Sequence, residues 1–261
     1  MIALTLLACV ATTGGARVAF DAETYGVAAV TDGRLVYQDG DWEVTLDEAK
    51  LSVGPIYLWS GRPLVTASAA DRVAEWVVPT ARADTDHFEY GYLRGEVLHQ
   101  AALDALTGAT VSLGDGAGLG GEAQSAELWL SPPQGDVATA LDGATFRVAG
   151  TARRGDEAVP FVGALTIDDT VLDPNEGKTP QEQRKVRGIP FAAEMADGGT
   201  LRVGFDATRA LVGADFAALA ATPPNDAGQH EIAHGTSAWN VWYYQVRQSG
   251  ENGPWTLTWT P

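Results

Sequence analysis

Cysteine is nearly missing from this chain: there is one, Cys9, in 261 residues. An intramolecular disulfide is thereby excluded, and so is any site built on two thiolates. Cations are scarce as well. Seventeen Lys and Arg stand against thirty-four Asp and Glu, a formal net charge of −17. A surface with that balance repels polyanions, so nucleic acid is excluded as a partner. No run approaches the ~20 consecutive apolar residues of a membrane-spanning helix. There is no G-x-S-x-G elbow, no internal repeat of fixed period and no strand–helix–strand alternation.

What is present begins at the N-terminus, where an apolar run ends in Leu6-Leu7-Ala8-Cys9. It resembles the lipobox of bacterial lipoprotein signals, in which a small residue precedes the cysteine that receives the lipid. The expectation is a signal segment over 1–9, lipidation of Cys9, and an exported protein at the outer membrane or cell surface. The anchor would be lipid alone, and a lipidated Cys9 leaves no thiol for a metal or a nucleophile.

Thirty glycines and thirteen prolines predict many turns. Between them, Trp42, Val44 and Leu46, then Leu51 and Val53, alternate with Glu43, Thr45, Asp47, Lys50 and Ser52. That period of two belongs to a half-buried strand. Ile56 to Trp59 continues after the Gly54-Pro55 break, and further strands are expected over 17–20, 34–37, 126–130, 145–151, 159–167, 200–205, 238–246 and 255–259. Helical spacing predicts two short helices, over 95–106 and 208–221. Such a pattern implies a mainly β protein, an antiparallel β-sandwich with one or two short helices, formed as a single domain over 10–261. Residues 168–184 are polar and aperiodic, and are expected as a long excursion from that domain.

A family resemblance rests on two of these segments. The tryptophan-led strand Asp41-Trp42-Glu43-Val44-Thr45-Leu46-Asp47-Glu48-Ala49 runs on into Leu51-Ser52-Val53-Gly54-Pro55-Ile56-Tyr57. Gly198-Gly199-Thr200-Leu201-Arg202-Val203-Gly204-Phe205-Asp206-Ala207 is followed by Val212-Gly213-Ala214-Asp215-Phe216. The pair resembles exported lipoproteins of myxobacteria-like organisms and, more distantly, is similar to MbnP-like secreted copper-binding proteins. The resemblance implies a β-sandwich and a copper ligand.

Two constellations carry chemistry. His230-Glu231-Ile232-Ala233-His234 fits H-E-x-x-H, where a helix sets two imidazoles on one face for zinc and the Glu acts as base. Pro223-Pro224 and Gly228 before it and Gly235 after it leave no length for that helix, so the motif is expected in a turn leading into a strand. There the two histidines can still share a metal in extended geometry. The second is the acidic stretch Asp84-Thr85-Asp86-His87-Phe88-Glu89-Tyr90 followed by Glu96 and His99; both imidazoles suit copper or zinc. The bland alternative is a solvated His87 in an acidic loop and His99 on a helix surface.

Gly116-Ala117-Gly118-Leu119-Gly120-Gly121 matches G-x-G-x-x-G, but a strand rather than a helix is expected after it, so it is read as a flexible hairpin loop. Asp168, Asp169, Asp173, Asn175 and Glu176 lack the order of a calcium loop and are read as solvated. Trp239, Trp242, Tyr244, Trp255 and Trp259 fall on the last two expected strands, with Trp242 and Tyr244 on one face, as core or as a sugar or partner platform. These readings lead to a lipid-anchored, non-enzymatic envelope binding protein for a transition metal such as copper, through His87, His99, His230 and His234. The alternative from another class is a zinc-dependent hydrolase on His230, Glu231 and His234; the third is a surface module for an envelope partner protein.

Overall fold

The computed structural model describes residues 15–62, 91–167 and 179–261; Cys9, His87 and the 168–178 part of the polar excursion lie outside them. The first half of the chain forms β1 (Arg17–Gly26), β2 (Leu35–Asp39), β3 (Trp42–Val53), β4 (Ile56–Trp59), β5 (Leu93–Val97), β6 (Ala101–Asp104), β7 (Thr110–Leu119) and β8 (Gly121–Trp129). Then come α1 (Gly135–Ala140), β9 (Phe146–Arg154), β10 (Glu157–Leu165), α2 (Pro180–Gln183), β11 (Lys185–Met195) and β12 (Thr200–Phe205). The last elements are α3 (Phe216–Ala220), β13 (His230–Glu231), α4 (Ser237–Gln245) and β14 (Trp255–Thr260).

The protein is mainly β and its ladders are mostly antiparallel, as in a sandwich. One sheet has eight strands in the order β11-β8-β4-β5-β7-β1-β12-β14; the other runs β13-β10-β9-β3-β2, with β6 also on β3. Two ladders are parallel, β1 with β12 and β10 with β13. β3 shows how the sequence produces this. Trp42, Val44 and Leu46 are buried, and beyond them the buried positions are Ala49, Leu51 and Val53. The buried set thus moves from even to odd positions, and the pairing with β9 shifts between Leu46 and Glu48. A β-bulge there turns the second half of the strand so that both apolar sets reach the same core.

The core is one contiguous cluster drawn from both sheets. Phe146 of β9 packs on Phe205 of β12 (ring centroids 5.2 Å) and on Trp242 of α4 (5.2 Å), and Phe205 packs on Trp255 (4.8 Å). These rings join the two sheets and the C-terminal helix at aromatic contact distance.

Several expectations need correction. Residues 95–106 form no helix: Gly95 and Val97 point inward from β5, and Ala101 and Leu103 point inward from β6. Val97, Ala101 and Ala105 also fit a helical stripe, but pairing partners on β4, β7 and β3 select the period of two. The expected strand over 238–246 is instead α4. Thr236 is its N-cap, its hydroxyl accepting from the Trp239 N–H at 3.2 Å, and the buried set Ala238, Trp239, Trp242, Tyr243 and Val246 follows a turn of 3.6. There is therefore no aromatic C-terminal hairpin: Trp242 is fully buried while Tyr244 is 40% exposed.

The helix expected over 208–221 is reduced to α3. Asp206 first draws the chain into a turn by accepting from the Thr208 N–H at 3.0 Å, and Asp215 then caps α3 by accepting from the Ala218 N–H at 2.9 Å. The glycine-rich run is the end of β7 and the start of β8 rather than a loose loop. A side chain at Gly116 would lie 2.2 Å from the Phe20 ring, so the missing Cβ is where that ring packs. β11 was not expected at all. It is an edge strand with Pro190 inside it and two register shifts, which hides its alternation. The described end of the 168–184 excursion is ordered: Thr179 and Glu182 form a capping box on α2.

Candidate functional site

The HEIAH segment is positioned by β10. Phe161 pairs with His230 and Val162 with Glu231 in parallel register, and the Ile232 N–H donates to the Val162 carbonyl at 2.9 Å. The chain then leaves the sheet. The Ala233 N–H donates to the Glu231 carbonyl (2.9 Å) and the Thr236 N–H to the Ala233 carbonyl (3.1 Å), which carries it into α4. The motif therefore lies in a short strand and a turn that leads into a helix, not in a turn that leads into a strand; no helix runs through it, as Pro223-Pro224 and Gly235 predicted.

Successive residues of a strand face opposite sides, and His230 and Glu231 do so here. His230 turns to α3, where its Nδ1 lies 2.9 Å from the Thr222 carbonyl and 3.4 Å from the Thr222 hydroxyl. A carbonyl only accepts, so Nδ1 carries the proton and Nε2 is left as the ring's acceptor. Glu231 and His234 turn the other way, into a cleft of about 440 Å³ that they line with Arg147, Ala164, Thr166 and Trp239. The His234 ring stands edge-on to Trp239 at 4.4 Å, and Trp239 stacks on Tyr243 at 5.2 Å, so an aromatic column backs one wall. Arg147 is committed to Glu48, at 3.3 Å, and to Asp142.

Among the described residues, part of the cleft floor is β10 backbone beyond the end of β13. Val162 directs its carbonyl toward β13, and Ala164, two residues on, directs its N–H and carbonyl the same way. β13 ends before reaching it, so that length of β10 edge faces the cleft.

The four histidines were expected to supply a metal site. His99 lies in the link between β5 and β6, exposed, against Gly114 and beside Pro55 and Gln134. It is not on a helix. His230 and His234 face different surroundings, and among the described residues no three His, Cys, Asp or Glu side chains group closely enough to hold a metal ion. Arg147, Thr166 and Trp239 were missed as cleft residues. Their proximity depends on the parallel pairing of β10 with a two-residue strand far along the chain, for which the sequence has no periodic signal.

No family model, curated protein or solved structure matches the chain. No helix among the described residues is long and apolar enough to cross a membrane.

Proposed function

We propose that the chain is a lipid-anchored, non-enzymatic binding module of the bacterial envelope, and that its ligand occupies the cleft of Glu231, His234 and Trp239. The observation that supports this most is the opposed facing of His230 and Glu231 on β13. A zinc hydrolase of the H-E-x-x-H type needs both imidazoles and the glutamate gathered on one helix face around a polarised water; here only Glu231 and His234 share a cleft. That cleft combines an aromatic wall, a carboxylate, an imidazole and strand backbone, the mixture of apolar surface and few polar groups by which pockets bind and orient ligands.

A copper-binding reading is second, and it rests on the resemblance together with the shared cleft of Glu231 and His234. A copper site takes three or four donors, so the described donor set falls short of one, and a further donor such as His87 has to come from outside the described residues.

One set of preparations tests both readings: wild type, Glu231→Gln, His234→Ala and His87→Ala, assayed for zinc-dependent hydrolysis of casein and of a p-nitrophenyl ester, then titrated with Cu²⁺. The binding-module reading expects rates equal to the protein-free blank throughout; zinc-dependent turnover lost in Glu231→Gln overturns it. The copper reading expects at least tenfold weaker Cu²⁺ binding in His234→Ala and His87→Ala, and falls if both bind like the wild type.

A further inference from the structure

A separate cleft of about 550 Å³ lies on the outer face of the eight-stranded sheet, across β5, β7 and β1. Its residues are placed by register. Arg17 pairs with Leu119 and Ala19 with Ala117 between β1 and β7, while Gly95 pairs with Gly118 and Glu96 with Ala117 between β5 and β7. The β5–β7 pairing ends at Gly95, and Arg94 follows it at a bulge, where β4 pairs Leu58 with Gly95 and Trp59 with Leu93. Glu96 points out between the inward Gly95 and Val97, and Arg94 lines the same outer cleft. One row thus carries Arg17 and Leu119, with Arg94 just beyond the end of the β5–β7 pairing, and beside it a second row runs Ala19, Ala117, Glu96. With strands ~4.8 Å apart, the two arginines begin roughly 10 Å from each other with Leu119 between them.

Arg94 is held in place by what its neighbours lack. A Cβ on Gly118 would sit 2.2 Å from the Arg94 carbonyl oxygen, so only glycine lets β7 approach this closely. The guanidinium lies over the β7–β8 turn, with Nη1 3.5 Å from the Gly120 carbonyl and from the position of a Gly121 Cβ. Its Nε is buried and has no hydrogen-bond partner among the described residues. Among the described residues neither Arg94 nor Arg17 forms an ion pair, in a chain whose carboxylates outnumber its Lys and Arg two to one. Two carboxylates share the cleft without pairing to either arginine among the described residues: Glu96 in the second row, and Asp197, which accepts from the Ala19 N–H at 2.8 Å. Leu93 and Leu119 form apolar walls over a floor of Ala19 and Ala117.

We infer that this cleft binds an anionic amphiphile, its carboxylate or phosphate head on the Arg94 and Arg17 guanidinium groups and its aliphatic body along Leu93 and Leu119. A buried guanidinium donor without a partner is costly, and a planar oxyanion meets the guanidinium fork with two parallel charge-assisted bonds. The small floor residues leave the room an alkyl chain fills.

Calorimetric titration of the full chain with octanoate, octyl phosphate, acetate, inorganic phosphate and octylammonium tests this. Octanoate, octyl phosphate or both should bind at least about tenfold more tightly than acetate or phosphate, as burial of roughly two methylenes gives; which of the two binds identifies the head group. Arg94→Gln should weaken that binding at least tenfold, Arg94→Lys should weaken it by losing the fork, and Arg17→Gln, at an exposed position, should weaken it without affecting the fold. Arg153→Gln, on β9, should leave it unchanged. Equal binding of octylammonium, equal binding of the short anions, no binding of either octyl anion, or wild-type affinity in Arg17→Gln together with a folded Arg94 variant would overturn the proposal.

Discussion

His230 and Glu231 are adjacent in sequence and serve different surfaces, because a strand alternates where a helix would gather. The same dependence of chemistry on local backbone appears at Thr179 and Glu182. The Glu182 carboxylate accepts from the Thr179 N–H at 2.8 Å and from its hydroxyl at 2.9 Å, and these two bonds hold it below the usual glutamate range. A carboxyl whose folded value is depressed contributes stability that is complete above its unfolded value, near about 4.3, and is lost as pH falls through the folded value. Acid unfolding of the wild type should therefore include a loss from this group below about pH 5. In Glu182→Gln, which keeps an acceptor but no charge, stability measured by denaturant titration should fall less between pH 6 and pH 3. Equal falls in the two proteins would mean that the box contributes nothing.

Among the elements, α4 gives the sharpest test of phase. A strand places Trp242 and Tyr244 on one face; the helix buries Trp242 completely and leaves Tyr244 at the surface. Trp242→Ala should then cost about 3–5 kcal/mol, by opening a cavity against Phe146. Tyr244→Ala should cost under about 1 kcal/mol. Comparable losses in urea unfolding would return the segment to a strand. The sequence did contain the helical signal, in the Thr236 cap and the spacing of Ala238, Trp239, Trp242, Tyr243 and Val246. It was masked by the β preference of Trp, Tyr and Val, which describes half-buried surfaces rather than a backbone rule. β1, β9, β10, β12 and β14 were legible because each alternates against one core, and β3 because each half on either side of its bulge does so. Residues 95–106 were not, since alanine and leucine there satisfy both periods and only the neighbouring strands decide between them. The site was legible to the same extent: Pro223-Pro224 and Gly235 ruled out a helix at HEIAH, whereas the walls that Arg147 and Trp239 contribute follow from pairings between distant segments.

For the molecule as a whole, the proposed lipid on Cys9 matters because a surface with a net charge of −17 has no electrostatic attraction to anionic membranes. Each buried acyl methylene contributes ~0.8 kcal/mol, so a multiply acylated protein stays with membranes through a high-salt wash. Cys9→Ser should appear in the soluble fraction or remain unprocessed. Fractionation like the wild type, with a free thiol in the wild type by mass analysis, would remove the anchor from the account. The strand order has a further consequence for how such a chain acquires its structure. β1 lies between β7 and β12, and β12 in turn carries β14. A chain made from its N-terminus completes β1 and the hairpins on one side of it early, then must hold the other edge of β1 open until Thr200–Phe205 arrives to pair in parallel. Pairing across so long a separation pays a large loop entropy before any contact is gained, which makes it slow. The last step of the first sheet thus belongs to the end of the chain, and until it is taken one edge of β1 stays unpaired.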